Sequence, residues 1–581
     1  MTPLEKESSL PLTRLTPPRW RWVSAILIYT ITFAAVLKIS IESYQRLTQG
    51  EKGSSAAWRP KCPQVHPLVP EHQTSALSKM EEYIRSDKFR GETIDRMWGA
   101  IQIPTETYDD LGLVGEDPRW DIMANFTEYL KDTFPGVHNT LKLDTVNTYG
   151  LLFTWPGTES NLRPTLLMAH QDVVPVEEDT IDEWTYPPYK GDYDGKFIWG
   201  RGSSDDKNNL IGIMEAVELL LEADFQPRRS VVLAFGFDEE ISGKQGARYM
   251  ADALSDRYGD GGAAVIIDEG AGVAGFWGTA FGLPGVGEKG YADVEVIVQT
   301  PGGHSSVPPA HTSIGIAAEL VTMIEANPYA PHFHAENPVL RFLECGSAHS
   351  PDFPRRLRKH LPWRPPSWPG QEDRLAIEAA KLGDPIKYLF TTSAAVDVIA
   401  GGVKVNALPE RTRVLVNHRV NVGDGVAEVE DKLARLARKV AARHNLTIHA
   451  FDDDDDDGYD DPESIRLTTL YALEPAPVSP TSVDGVTPYS VLAGTTRALY
   501  GKSVIVAPAM MPGNTDSRHY RGLSKHIFRY NPGWDPEVGL GLDGIHTVNE
   551  RLSLEAHTRA VEWYSLFIRN MDEAELDEEW H

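Results

Sequence analysis

Residues 230–240 read SVVLAFGFDEE. An apolar run of strand length, Ser230–Phe237, passes directly into three carboxylates, Asp238, Glu239 and Glu240. The run does not alternate, so the strand has no polar face to turn to water. Such a strand belongs inside a sheet covered on both faces, the usual setting of parallel strands. Two neighbouring stretches repeat the pattern. Ala263–Ile267 (AAVII) ends in Asp268-Glu269-Gly270, and the shorter Thr165–Ala169 ends in His170-Gln171-Asp172. Between them Leu210, Ile213, Met214, Val217 and Leu220 follow the 3.6-residue period of a core-facing helix over 209–222. Strands alternating with helices predict an α/β domain with a mixed, largely parallel sheet flanked by helices.

Near residue 290 the texture changes. Tyr291–Val298 (YADVEVIV) and Arg413–Val420 (RVLVNHRV) alternate apolar with polar residues, as half-buried antiparallel strands do. Helical patterns at 312–326 and 425–443 go with them. A smaller α+β domain is therefore expected at 290–452, inserted between a first part of the large domain at 76–289 and a second part at 453–581. Residues 330–372, rich in Pro, His and Arg, form a long insertion within the smaller domain. Positions 452–461 hold eight Asp in ten. A calcium loop needs spaced ligands and a closing Glu, so this run reads as a solvated loop marking the return to the large domain.

Ahead of these lies VSAILIYTITFAAVL, Val23–Leu37, which with its flanks makes a helix of about 20 residues, enough to span roughly 30 Å of hydrocarbon. Trp20 and Trp22 suit an interfacial belt. Arg14, Arg19 and Arg21 precede the run, and few cations follow it, so residues 1–21 are expected in the cytosol, 22–41 in the membrane and 42–75 as a stalk beyond it. A cleaved signal peptide competes, but no small-residue cleavage pattern follows closely. The sequons Asn125-Phe126-Thr127 and Asn445-Leu446-Thr447 would face the lumen.

The 581 residues carry 56 Lys plus Arg against 84 Asp plus Glu, a net charge of −28. A chain this acidic repels a phosphate backbone, which argues against a nucleic-acid partner. Two cysteines, Cys62 and Cys345, exclude a disulfide scaffold and a Cys-rich zinc module. Whether they pair is left open.

The chemistry gathers at predicted strand ends. In His170-Gln171-Asp172 the period of 2 points both polar side chains the same way. His170 suits a metal, and Asp172 suits the second nitrogen of its ring. Gly200-Arg-Gly-Ser-Ser-Asp205-Asp206-Lys207 precedes a helix and can bring a carboxylate up to two ions. Consecutive acids in Asp238-Glu239-Glu240 repel unless a cation or proton compensates. Asp268 or Glu269 supplies a fourth acid. Ligands of open α/β sheets bind at the carboxyl ends of strands, so the four segments should converge. Singly, each has a structural explanation, a core histidine or a helix cap. No H-E-x-x-H or G-x-S-x-G occurs, and the G-x-G-x-x-G at 285–290 precedes a strand instead of the helix a dinucleotide site requires.

Taken in order, these segments resemble the two-zinc aminoacylase and carboxypeptidase family of metallopeptidases. So do Gly302-Gly-His304, Gly402-Val-Lys-Val-Asn406, Gly513-Asn514-Thr-Asp516-Ser517-Arg518 and Gly544-Ile-His546-Thr-Val-Asn549-Glu550. Within the family the anchor, the insertion and the GNTDSRHY segment are most similar to the fungal vacuolar Gly-Xaa carboxypeptidases. The resemblance implies two Zn²⁺ per chain. His170 and Asp268 would hold one and Glu240 and His546 the other, with Asp205 bridging. Glu269 is the alternative to Asp268, which is preferred because it alternates in phase with Ile266. Asp172 would orient His170, and Glu239 would act as general base. His304, Asn406 and Arg419 would bind substrate from the inserted domain, a lid in this family. The implied activity is removal of C-terminal residues from short peptides in a lumenal compartment, the vacuole, by a type II single-pass membrane protein; a homodimer is left open. Hydrolysis or synthesis of N-acyl amino acids is the alternative on the same chemistry. A non-catalytic membrane binding protein would require degraded ligands, and none of the expected ligands is missing.

Overall fold

The structure, a computed structural model, describes residues 62–368, 370–451 and 461–576. The proposed tail and anchor, residues 42–61 of the stalk and most of the Asp run lie outside the described residues. Among the described residues no helix is long and apolar enough to cross a membrane.

An eight-stranded sheet organises the larger region. Its centre is four mutually parallel strands in the spatial order Val231–Gly236, Thr165–His170, Val265–Ala271 and Ile527–Tyr530. The hairpin Lys142–Val146 and Gly150–Trp155 runs antiparallel at one side. Gly285–Glu288 and Ala509–Met511 close the other. Val231–Gly236 is buried at all six positions, as its unbroken apolar run requires. One face is covered by helices that include Lys207–Glu222, Pro488–Tyr500 and Leu554–Glu573, the other by Ala247–Tyr258, so a core lies on each side. The three parallel strands carrying His170, Asp238 to Glu240 and Asp268-Glu269 all end at the same sheet edge.

The second sheet has five strands, in the order Ser393–Gly401, Arg411–Val420, Gly290–Gln299, Ser464–Leu473 and Thr447–Ala450. Four of them pair antiparallel and the last pair is parallel. Arg411–Val420 alternates buried with partly exposed residues over most of its length, the pattern expected of a sheet covered on one side. The cover is Ser313–Glu325 and Val426–His444, whose apolar stripes meet Val294, Val296, Val414 and Val416. Ser464–Leu473 belongs to this sheet, so the chain stays with it some twenty residues beyond the boundary at 452 read from the Asp run. In sequence the run falls between two strands of one sheet, Thr447–Ala450 and Ser464–Leu473, and polarity alone does not show to which sheet the chain returns. The 330–372 insertion packs an apolar cluster around Phe333, Leu343, Phe353 and Leu357 that also takes in Phe390, Val422 and Met510.

Cys62 and Cys345 form a disulfide across 283 residues of sequence. It ties the start of the described chain to the helix Val339–His349. Closing a loop that long constrains the unfolded chain, so Cys345→Ser should cost about 2–4 kcal/mol. Denaturant unfolding of oxidised wild type against the variant measures it. Coincident curves would mean that the bridge contributes nothing to stability.

Candidate active site

At the end of its strand His170 turns Nδ1 toward the Asp172 carbonyl oxygen at 3.0 Å and lies 3.3 Å from Asp172 Oδ1. Those acceptors put a hydrogen on Nδ1 and leave Nε2 as the ring's free donor atom. Nε2 faces Asp205 Oδ1 at 3.0 Å and Glu269 Oε1 at 3.7 Å. The other Asp205 oxygen, Oδ2, is 3.1 Å from Nε2 of His546, which is also 3.1 Å from Glu240 Oε2. One carboxylate thus stands between two imidazoles, each with a glutamate beside it.

Surrounding groups hold these side chains. Asp172 accepts the backbone N–H of Glu239 on Oδ1 and of Glu240 on Oδ2, both at 3.1 Å, and the Thr107 hydroxyl at 2.9 Å. It therefore fixes the imidazole and the paired glutamates together. Glu550 accepts the backbone N–H groups of Ser204 and Asp205 on Oε1, while Oε2 pairs with Arg201 at 2.6 Å. This buried ion pair sets the loop that presents Asp205. Arg518 donates to Glu239 Oε1 at 3.0 Å.

The electrostatics describe an excess of buried acid. Burial pushes the Glu239 carboxyl up to about 8 against the opposing pull of His170. Burial likewise raises Asp206 and Glu269 well above the usual carboxylate range, with Asp205 adding to both. For the histidines burial works downward but is overcome. Bonds to Asp172 and Asp205 hold His170 well above its ordinary value, and bonds to Asp205 and Glu240 carry His546 up to about 11. Glu240 Oε1 and Asp206 Oδ2 are buried with no hydrogen-bond partner among the described residues. Two groups of donors lie close enough to hold an ion, His170 with Asp205 and Glu240, and His170 with Asp206 and Glu269. Mixed nitrogen and carboxylate donors, orphaned oxygens and protons crowded onto carboxylates fit divalent cations of the zinc type.

His170, Asp172, Asp205, Glu239, Glu240 and His546 converge as expected. Asp268 is a correction. Its Oδ1 accepts the Glu269 N–H and its Oδ2 the Ser517 N–H, each at 3.0 Å, and Glu269 is the residue that faces His170. The expectation rested on strict alternation from Ile266. The alternation does hold as far as Asp268, which pairs with Arg529, but it leads to the side of Ile266, Tyr520 and Ser517; pairing resumes only at Ala271 with Tyr530, so Glu269 and Gly270 form a bulge that takes Glu269 out of the ladder. A Cβ on Gly270 would fall 2.5 Å from Arg529 Cβ, so the bulge needs glycine there. Arg419 reaches the periphery, with Nη1 3.4 Å from Asn514 Oδ1. His304 and Asn406 are exposed and sit together on the small ribbon Gly303–His304 with Ala407–Leu408. No hydrogen bond among the described residues links that ribbon to His170. The roles of Arg518, Asp206 and Glu550 were not read from the sequence, although each sits in or beside a quoted motif.

Comparison with known proteins gives concordant results. The profile described as "Peptidase family M20/M25/M40" matches residues 166–570. Carboxypeptidase S of Saccharomyces cerevisiae is 40% identical over 538 residues, 90% of each chain. An N-fatty-acyl-amino acid synthase/hydrolase of Bos taurus is 33% identical over 483 residues, 82% of this chain and 86% of the other. Among solved structures, human carnosine dipeptidase 1 shares the fold with a TM-score of 0.57 at 13% identity, covering 86% of this chain and all of that one.

Proposed function

The chain belongs to peptidase family M20/M25/M40, and from that membership we propose that it is a two-zinc carboxypeptidase cleaving the last amide bond of short peptides. The observation that carries this reading is Asp205, with one oxygen against each of two histidines. In it, His170 and Glu269 would hold one ion, His546 and Glu240 the other, and Asp205 both. Ions held there supply Lewis acidity to the substrate carbonyl and make water acidic enough to lose a proton near neutral pH. Glu239 takes that proton and returns it to the leaving amine. Arg518 keeps the carboxylate of Glu239 in place between the two transfers. Arg419, beside Asn514, suits a bidentate grip on the substrate's terminal carboxylate, which would confine cleavage to the chain end. His304 and Asn406 are assigned to substrate contact from the smaller sheet.

The same reading keeps residues 22–41 as a membrane anchor with the catalytic part in the lumen. The disulfide fits an oxidising compartment. Both sequon asparagines, Asn125 and Asn445, are exposed and open to glycan. A vacuole is the compartment that the family resemblance implies. The bovine relative favours a second reading, cleavage of N-acyl amino acids by the same site.

The test is a substrate panel with chelation. Gly-Leu should be cleaved, Gly-Leu-amide and N-oleoyl-Phe much more slowly, and dialysis against a chelator should abolish turnover until Zn²⁺ is restored. Preference for N-oleoyl-Phe would install the second reading. Full activity in a metal-free preparation would overturn both.

A further inference from the structure

A second group of metal-type donors lies outside the active site, where the 330–372 insertion meets the smaller sheet. His332 and His334 are two apart on an irregular segment, and their ring centroids lie 4.8 Å apart. His332 Nε2 and His334 Nε2 are 2.9 Å apart, and each is 2.9 Å from Asp424 Oδ1. Asp424 follows the strand Arg411–Val420, and its second oxygen accepts from the Thr392 hydroxyl. None of the active-site donors takes part.

The hydrogen-bond pattern around this triangle is incomplete without a cation. His332 Nδ1 is 3.0 Å from the Ala330 carbonyl oxygen, which can only accept, so Nδ1 carries the hydrogen. In the neutral ring Nε2 is then a lone pair aimed at a carboxylate oxygen and at another imidazole nitrogen. A proton placed on either Nε2 can satisfy the contact with Asp424 for that ring but leaves the other nitrogen facing it. A metal ion at about 2.0–2.1 Å from each donor relieves all three contacts at once. The Nδ1–H to carbonyl bond is also the outer-sphere contact that fixes the tautomer of metal-binding histidines. The backbone makes room for the arrangement: a Cβ on Gly423, at φ +97°, would come within 2.1 Å of His334 Cγ. The donor set, two imidazoles and one carboxylate, suits a borderline divalent ion and leaves positions for water.

We propose that His332, His334 and Asp424 form a separate site for one divalent transition-metal ion of the zinc kind, which fastens the insertion to the loop after Arg411–Val420. Neighbouring contacts join the same pieces. Asn337 donates to Asn421 Oδ1, and the Asn421 N–H donates to Thr392 Oγ1. Ser393, next to Thr392, pairs with Arg419 across the strands. An ion here would steady the strand end that carries Arg419 without touching the reacting groups.

The full chain, stripped with a chelator and re-equilibrated with Co²⁺ alone, is assayed for metal per chain by mass spectrometry and for visible ligand-field absorption. The double variant His332→Gln, His334→Gln should bind one equivalent fewer than wild type, while keeping the circular dichroism of the native chain. Asp424→Asn, which keeps its size and the contact to Thr392, should show the same loss and decides the matter if the double variant misfolds. Equal uptake by wild type and folded variants would overturn the site. Glu240→Gln, measured alongside, reports on the active-site ions alone, so failure of that assignment is distinguishable from failure of this one.

Discussion

Glu239→Gln is expected to lower kcat by at least about 10²-fold while leaving metal content unchanged, since general acid–base catalysis contributes on that scale or more. Glutamine preserves the size of the side chain and keeps an oxygen for the Arg518 N–H, which lies 3.0 Å from Glu239 Oε1. The backbone of residue 239 remains pinned by Asp172 Oδ1. What disappears is the ability to accept a proton. Metal is retained because Glu239 stands outside both donor groups. Glu240→Gln should do the converse. Glu240 shares His546 with Asp205 and has a buried oxygen with no hydrogen-bond partner among the described residues, so its loss should strip an ion and activity with it. Metal analysis and steady-state kinetics on the two variants separate these roles. If Glu239→Gln loses metal while Glu240→Gln keeps it and loses turnover, base and ligand are assigned the wrong way round.

Much of this arrangement was legible because it depends on strand ends. Unbroken apolar runs such as Ser230–Phe237 can only be central strands, and parallel central strands deliver whatever follows them to one edge. Strand polarity alone therefore places His170, Glu239 and Glu240 together. The glycine-bearing loop of Asp205 reads as a fourth segment at that edge, but the bridging role of Asp205 and the whole of His546 come from family resemblance, because nothing in a loop's composition says which strand end it will cover. The residues that escaped, Arg518 and Glu550, act on groups remote in sequence. Arg518 is 279 residues from Glu239, and Glu550 is 345 from Asp205. Local patterns do not encode such pairings. The smaller sheet failed at its far boundary for a related reason. Ser464–Leu473 lies beyond the Asp run, and its partner strand is Gly290–Gln299, more than 160 positions earlier.

The choice between Asp268 and Glu269 exposes a limit of periodicity, and it gives the other large effect. Alternation holds only while the ladder is regular, and here two residues intervene between successive pairings with Arg529 and Tyr530. Asp268, still in regular register, turns its carboxylate to the N–H groups of Glu269 and Ser517, and the bulge that follows leaves Glu269 facing His170. Loss of an outer partner typically costs 10–100-fold in metal affinity or activity. Asp268→Asn should fall in that range, because it leaves the ions' own donors intact but turns an amide toward one of two N–H donors. Glu269→Gln should exceed it, because it removes a charged donor from the half-site of His170 and leaves that ion with fewer anions to offset it. Metal affinity by competition with a chelator and kcat/KM, measured on both variants, decide the matter. If Asp268→Asn releases metal and Glu269→Gln does not, the ligand is Asp268, the residue in phase with Ile266, and the residue in the bulge is not.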